Sequence, residues 1–316
     1  VGDIERGGVF ASIYGTLELL PDDIKPLVKG IIINKFRGDI ALLEPGLHQL
    51  EKLTGIPVLG VLPYMKLGLP SEDSLSLRDK SPVDSPVEIA VMRLPHISNF
   101  TDFEPLEPFA SVRYVELSEE PGAPDAVIIP GTKNTIDDMR ALERSGKAEW
   151  LRSIAGKIPI IGICGGYQML GKFIHDSGIE GSVGACSVRG LGLLDATTHF
   201  GEYQKSTRRV RKEINRHGPF GDAGDTVEGY EIHMGETVSA SLPLFGGEGS
   251  AGELVFGSYM HGLFENDKVR DSFLSYLYER RGRRYEPRKT GDAFDELAAA
   301  VRDNIDMAKL YNIAGL

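Results

Sequence analysis

The sequence predicts an α/β protein whose strands run mostly parallel. Three observations carry that expectation. Short runs rich in Ile and Val alternate with segments of helical period, as buried parallel strands alternate with covering helices. Two such series follow one another, separated by a polar stretch, 66–88, rich in Pro, Ser and Asp. Glycine-flanked corners stand at the ends of several apolar runs, where open α/β sheets place their sites.

The elements follow in order. "VGDIERGGVF" reads as a strand end running into a loop; with no initiator Met ahead of it, part of a longer chain is expected to be missing. Val28–Asn34 is a buried-type strand, Ile40–Gly55 a helix closed by Gly55, and Ile56–Tyr64 a second apolar strand, together a βαβ unit. After the linker candidate, Val87–Pro95 and Ser111–Leu117 are strands and Asp125–Thr135 is a strand ending in a glycine loop. Thr135–Ala155 is helical. Shorter strands and loops are expected from Ser182 to Glu253. Gly252–Asp267 holds a last strand leading to His261, and Asp292–Leu316 closes the chain as one amphipathic helix.

Composition bounds the function. The chain has 316 residues, 41% of them apolar, which suits two modest domains. The net charge of −11 argues against a nucleic-acid surface, the cluster Lys205–Arg216 being a local exception. No apolar run is long enough to cross a bilayer and no secretory signal opens the sequence. The two cysteines, Cys164 and Cys186, are too few for a disulfide framework, so a reducing cytoplasm is expected.

Cys164 occupies the corner of "IPIIGICGGYQMLGKFI", between an apolar run and a helical one. Gly162, Gly165 and Gly166 give a tight strand–turn–helix its clearance. The pattern G-x-C-x-G is the thiol counterpart of the G-x-S-x-G elbow that exposes a nucleophile above a parallel sheet. The corner lies at a helix N-terminus, where the dipole favours an anion, and the amide of Gly165 is placed to donate to an oxyanion. Cys186 has no such setting and reads as a structural cysteine. Of seven histidines, His261 alone follows an alternating strand and precedes a glycine, which puts it on the same sheet edge as Cys164. His48, His96, His175, His199 and His217 read as solvent-facing, and His233 is the first alternative shuttle.

"PGTKNT" (Pro130–Thr135), "GICGGYQMLG" and "YMHGLFEN" resemble the three signature segments of class I glutamine amidotransferases. More narrowly, with "DIERGGVFASIYGTL", "NKFRGDIALLEPGL", "RLPHISNFTDFEPL" and "GYEIHMG", they are similar to the cobyric acid synthase branch. The resemblance spans nearly the whole chain. It implies a partial P-loop-type, dethiobiotin synthetase-like segment over 1–80, a flavodoxin-like class I amidotransferase domain over 86–275, and a helical tail over 276–316.

It also implies roles. Cys164 would attack the side-chain amide of L-glutamine, and His261 would serve the leaving ammonia and then the hydrolytic water. Gly131, Thr132 and Gly165 would hold the oxyanion, and Gln168 would orient the substrate. Most of the class carries Glu two residues after the His, where Leu263 stands here; the cobyric acid synthase branch is known to lack it. What orients His261 is therefore open, with Glu265 a weak candidate.

In the branch, ammonia goes to an ATP- and Mg²⁺-dependent domain that amidates the b, d, e and g carboxylates of adenosylated cobyrinic acid a,c-diamide. No GxxxxGK[ST] loop occurs in this sequence. The chain alone is therefore expected not to bind ATP, and the missing N-terminal segment is expected as a partner. Asp3 resembles a carboxylate near the Mg-nucleotide and Asn34 an adenine-reading residue. No metal is expected in the glutaminase half, and neither nucleic acid nor membrane is an expected partner. The alternatives are a cobyrinic acid a,c-diamide synthase, a glutaminase subunit acting on the cell-wall lipid II precursor, or a docking module that keeps only the glutaminase fold.

Overall fold

The computed structural model describes residues 1–65, 82–181, 184–201, 206–287, 291 and 293–316. Most of the expected linker falls on 66–81, outside these residues. The chain divides into two compact units, Val1–Leu69 with Lys289–Leu316, and Pro70–Arg288.

The first unit is a three-stranded parallel sheet in the order Gly2–Asp3, Ile31–Phe36, Val58–Pro63. Ile31, Ile33 and Leu50 form its small core, with Phe10, Ile13 and Leu17 packed on them from the helix Val9–Leu19. The helix Ile40–Thr54 begins where the Asp39 carboxylate accepts the Ala41 amide. It ends at Gly55, whose left-handed φ of 69° is the conformation a C-terminal glycine supplies without strain.

The end of the chain corrects the expected single helix over 292–316. Two helices, Ala293–Asn304 and Met307–Ala314, are separated by Ile305, and Asp306 caps the second one. The break lets Ile305 bridge to Gly60 and the Asp306 amide donate to Leu59 O at 2.8 Å, so this segment belongs to the first unit.

The second unit is organised by a six-stranded sheet. Its order is Ser250–Ala251, Val255–Ser258, Ile160–Ile163, Ala126–Ile129, Glu88–Arg93, Ser111–Glu116, and all neighbours are parallel except at the 250–251 edge. Alternate residues enter two cores: Ile89 and Val91 face one, Ala90 and Met92 the other, all fully buried. Burial on both faces explains why these strands read as continuous apolar runs. The helical stretch after Asn134 is two helices, Thr135–Arg144 and Lys147–Ile154, because Gly146 takes a left-handed φ of 75° between them. The expected boundary at 275 falls inside the helix Asp267–Arg280, whose Val269, Phe273, Leu274 and Leu277 are buried in this unit's core.

Helix Gly165–Leu170 packs hard against the sheet, and Gly166 is where the two touch. A Cβ there would stand 2.0 Å from Ile129 O, a backbone atom that cannot step aside. Gly166→Ala should therefore lower unfolding free energy by about 3 kcal/mol, the upper range for overpacking. Urea unfolding read by circular dichroism measures this; a loss below about 1 kcal/mol would contradict the close approach.

Candidate active site

Four neighbouring strands deliver the site from their carboxyl ends. Asp102 lies beyond Glu88–Arg93, and Gly131 and Thr132 follow Ala126–Ile129. Cys164 follows Ile160–Ile163, and His261 follows Val255–Ser258. Cys164 has φ 52° and ψ −110°, outside the regions open to an unstrained L-residue. Its amide is held by Ser258 O at 2.8 Å, and its half-buried sulfur lies 3.4 Å from Ile232 O.

His261 is buried, and its orienter is Asp102. Nδ1 lies 2.6 Å from Asp102 Oδ2, while Oδ1 of the same carboxylate accepts the Gly262 amide at 3.1 Å. The Tyr230 ring stacks on the imidazole, centroids 5.1 Å apart, and Asn99 donates to the Tyr230 hydroxyl at 3.0 Å. Nε2 has no hydrogen-bond partner among the described residues. Burial opposes a charge on this ring, but the bond to Asp102 and the nearness of Cys164 outweigh it and raise the pKa to about 10. The second nitrogen is therefore protonated at neutral pH and turned toward the Cys164 thiol.

The glycines close the space around this pair. A Cβ on Gly131 would lie 3.4 Å from His261 Cε1, and one on Gly165 would lie 2.6 Å from Thr132 Cγ2 and 3.2 Å from the Thr132 amide nitrogen. The Gly131–Thr132 strand pairs with Ile97–Ser98 and so runs beside the start of the elbow helix. The Thr132 side chain turns away, donating to the fully buried Asp138 at 2.5 Å. Asp138 also takes the His96 amide at 3.2 Å and contacts His96 Nδ1 at 2.7 Å. His96 is exposed, as expected, and its contact with Asp138 also braces this loop.

Gln168 is buried, not an exposed helix residue. Its amide nitrogen donates to Met234 O at 2.9 Å and the Tyr259 hydroxyl at 3.1 Å, and its oxygen lies 3.0 Å from the Thr135 hydroxyl, whose single proton it shares with Glu180. A cavity of about 370 Å³ joins Cys164 to Gln168, Thr132, Thr135, Glu180 and His233. His233 stacks on Tyr259, burial lowers its pKa, and among the described residues its Nδ1 meets only Gly235 O, at 3.2 Å. It lacks the carboxylate that His261 has. Cys186 sits in a strand packed against the core. Among the described residues no three His, Cys, Asp or Glu side chains converge as metal ligands do, and no helix is long and apolar enough to cross a membrane.

In the first unit, Asp3 and Asn34 are register partners on adjacent parallel strands. Asp3 is already paired with Lys35 at 2.9 Å and Arg6 at 3.7 Å, and Asn34 Oδ1 accepts the Lys35 amide at 2.9 Å.

Residues 88–269 match the family model described as the CobB/CobQ-like glutamine amidotransferase domain. The chain belongs to that family. Its first unit matches the CobQ/CobB/MinD/ParA nucleotide binding domain over 3–73. The chain is 57% identical to a probable cobyric acid synthase of Methanosarcina barkeri and 56% identical to one of Methanosarcina mazei. Each match covers 100% of this chain and 67% of the relative; the chain spans about two thirds of their length. Among solved structures, a chain of PurLQS from Thermotoga maritima matches with a TM-score of 0.47 and 19% identity, over 60% of this chain and 99% of its own.

In this member of the amidotransferase family, Leu263 is buried in the core. A carboxylate at that position would have to displace packed apolar side chains, and Asp102 reaches the imidazole instead. Glu265 makes no described bond to His261, and burial followed by the Asp102 charge raises its pKa. Asp102 was within reach of the sequence, since it stands in the signature segment "SNFTDFEPL", but nothing local ties that segment to His261.

The pairing is open to measurement in two ways. Asp102→Asn should lower glutamine turnover by roughly 10² to 10⁴, the scale for losing the group that orients a catalytic imidazole, while Glu265→Gln should change it little. The His261 pKa is about 10 in the fold, against the ordinary histidine value of 6.5 once the chain is unfolded. Because the folded value is the higher, its contribution to stability is complete below about pH 6.5 and is lost as pH rises toward 10. Urea unfolding between pH 6 and 9.5 should show that decline, and Asp102→Asn should flatten it; equal slopes in both proteins would refute the pairing.

Proposed function

We propose that this chain carries the glutaminase of a cobyric acid synthase: it hydrolyses L-glutamine and releases ammonia for amidation of corrinoid carboxylates. The observation that carries this reading is the buried His261. Its Nδ1 is clamped by Asp102, and its unpartnered Nε2 stands beside a thiol held in a strained elbow.

The chemistry follows from that arrangement. The thiolate of Cys164 is the nucleophile and attacks the side-chain amide carbon of glutamine. Charge develops on the amide oxygen, where the Gly165 amide, at the start of its helix and without an intrahelical acceptor, can donate together with the Gly131–Thr132 loop. Imidazolium Nε2 gives its proton to the departing nitrogen, which leaves as ammonia, and a thioester remains on Cys164. The imidazole, now neutral, takes a proton from water as the water attacks the thioester. Glutamate leaves, and the thiolate–imidazolium pair is restored. Gln168, with both N–H donors engaged, holds the cavity wall.

ATP and Mg²⁺ belong to the amidation step of the whole enzyme. The first unit's match to a nucleotide binding domain fits that step, with Asp3 and Asn34 side by side on adjacent strands, while the sequence carries no GxxxxGK[ST] phosphate-binding segment. The corrinoid, its amidation pattern and a cytoplasmic setting are proposed from the likeness to the named relatives. A docking module would have no use for an assembled thiol–imidazole–carboxylate triad, which favours the enzymatic reading.

Cys164→Ser should abolish ammonia release from glutamine, and Cys186→Ser should leave it close to unchanged. Labelling with a diazo-ketone analogue of glutamine, followed by peptide mass mapping, should place the adduct on Cys164. An adduct on Cys186, or turnover surviving in Cys164→Ser, would defeat the proposal.

A further inference from the structure

Glu180 lines the same cavity as the Cys164 thiol, yet nothing in the hydrolytic cycle uses it. Its Oε1 accepts both the amide and the hydroxyl of Thr135, each at 2.9 Å. Its other oxygen has no hydrogen-bond partner among the described residues, and no cation there pairs with it. The charges that bear on it are acidic, Asp176 and Asp138. Burial first, and then these neighbours, raise its pKa against the opposing bonds from Thr135. A partly buried carboxylate without a counter-charge is costly unless a ligand supplies one.

The carboxylate is also held still. Asp176 accepts the amides of Gly178, Ile179 and Glu180 on Oδ1, at 3.0, 2.8 and 3.2 Å, and that of Gly181 on Oδ2 at 2.8 Å. These four bonds fix the loop that presents Glu180 to the cavity, so its position is set before any ligand arrives. The same cavity wall carries Lys133, an exposed lysine with no ion pair among the described residues. A cavity holding a nucleophile, an uncompensated carboxylate and an unpaired ammonium matches a zwitterionic amino acid with a side-chain amide.

We infer that Glu180 receives the α-ammonium of the substrate and so makes the site select free L-glutamine over amides that lack an α-amino group. The inference rests on the glutaminase reading above and adds the group that reads the other end of the substrate. A charge-assisted bond formed away from water is stronger than a neutral one. A polar site left unpaired by an analogue rejects it strongly.

The test compares ammonia release from L-glutamine and from glutaramate, the same amide without the amino group. The unaltered chain should prefer L-glutamine by roughly 10²-fold or more in kcat/KM. Glu180→Gln keeps an oxygen for Thr135 but removes the charge. It should raise KM for L-glutamine by at least about 30-fold with kcat within a few-fold, and leave glutaramate nearly unchanged, so that the preference collapses. Glu180→Ala, with its fold checked by circular dichroism, should do the same. No preference in the unaltered chain overturns the inference without any variant. A preference that survives Glu180→Gln, or an equal loss for both substrates, overturns it while leaving the glutaminase reading intact. An unaltered chain that hydrolyses neither amide overturns both.

Discussion

The backbone of Cys164 is the constraint around which the second unit is built. A non-glycine residue at φ 52°, ψ −110° costs about 1–3 kcal/mol, and it persists only because its surroundings leave it no alternative. Ser258 O holds its amide from one side. On the other, the elbow helix approaches so closely that Gly166 has room for nothing beyond hydrogen against Ile129 O. Ser258 belongs to the strand that also leads to His261, and Ile129 to the strand that leads to Gly131. The strain is therefore distributed over the same strands that carry the other functional groups, and their relative positions are set together.

Electrostatics then complete what the backbone begins. Asp102 is buried, which would be costly for a lone carboxylate, but an imidazole nitrogen and the Gly262 amide both satisfy it. The Tyr230 ring covers one face of the imidazole and is itself held by Asn99, from the same signature segment as Asp102. One short stretch thus supplies both the carboxylate that fixes the ring plane and the anchor of the ring that covers it. The neighbouring loop uses the same device, with Asp138 tying Thr132 and His96 together.

What the sequence disclosed was what is written locally. Strands buried on both faces, the glycine-flanked thiol and the histidine after an alternating strand each leave a signal within about a dozen residues, and the parallel strands stand where they were expected. The Asp102–His261 contact spans 159 residues, and no periodicity or spacing reports such a pair. The same holds for Gln168, whose position on a helix says nothing of the three partners that bury it, and for Glu180, placed by a loop that Asp176 gathers. The terminal segment is two helices because Ile305 bridges to Gly60 and Asp306 bonds Leu59 and caps the second helix, long-range contacts that the local sequence does not report.

That bridge has a consequence for how the polypeptide becomes structured during synthesis. The second unit is one continuous stretch, Pro70–Arg288, whereas the first gathers Val1–Leu69 with Lys289–Leu316. As the ribosome extends the chain, the strand Val58–Pro63 emerges more than two hundred residues before the helices that will cover Gly60. Its apolar edge must wait while the larger unit, complete in itself, folds; closing so long a loop late is slow, and the waiting surface is open to misassociation. Ile305 and its two flanking helices thus act as a latch, thrown late, on a sheet made long before them.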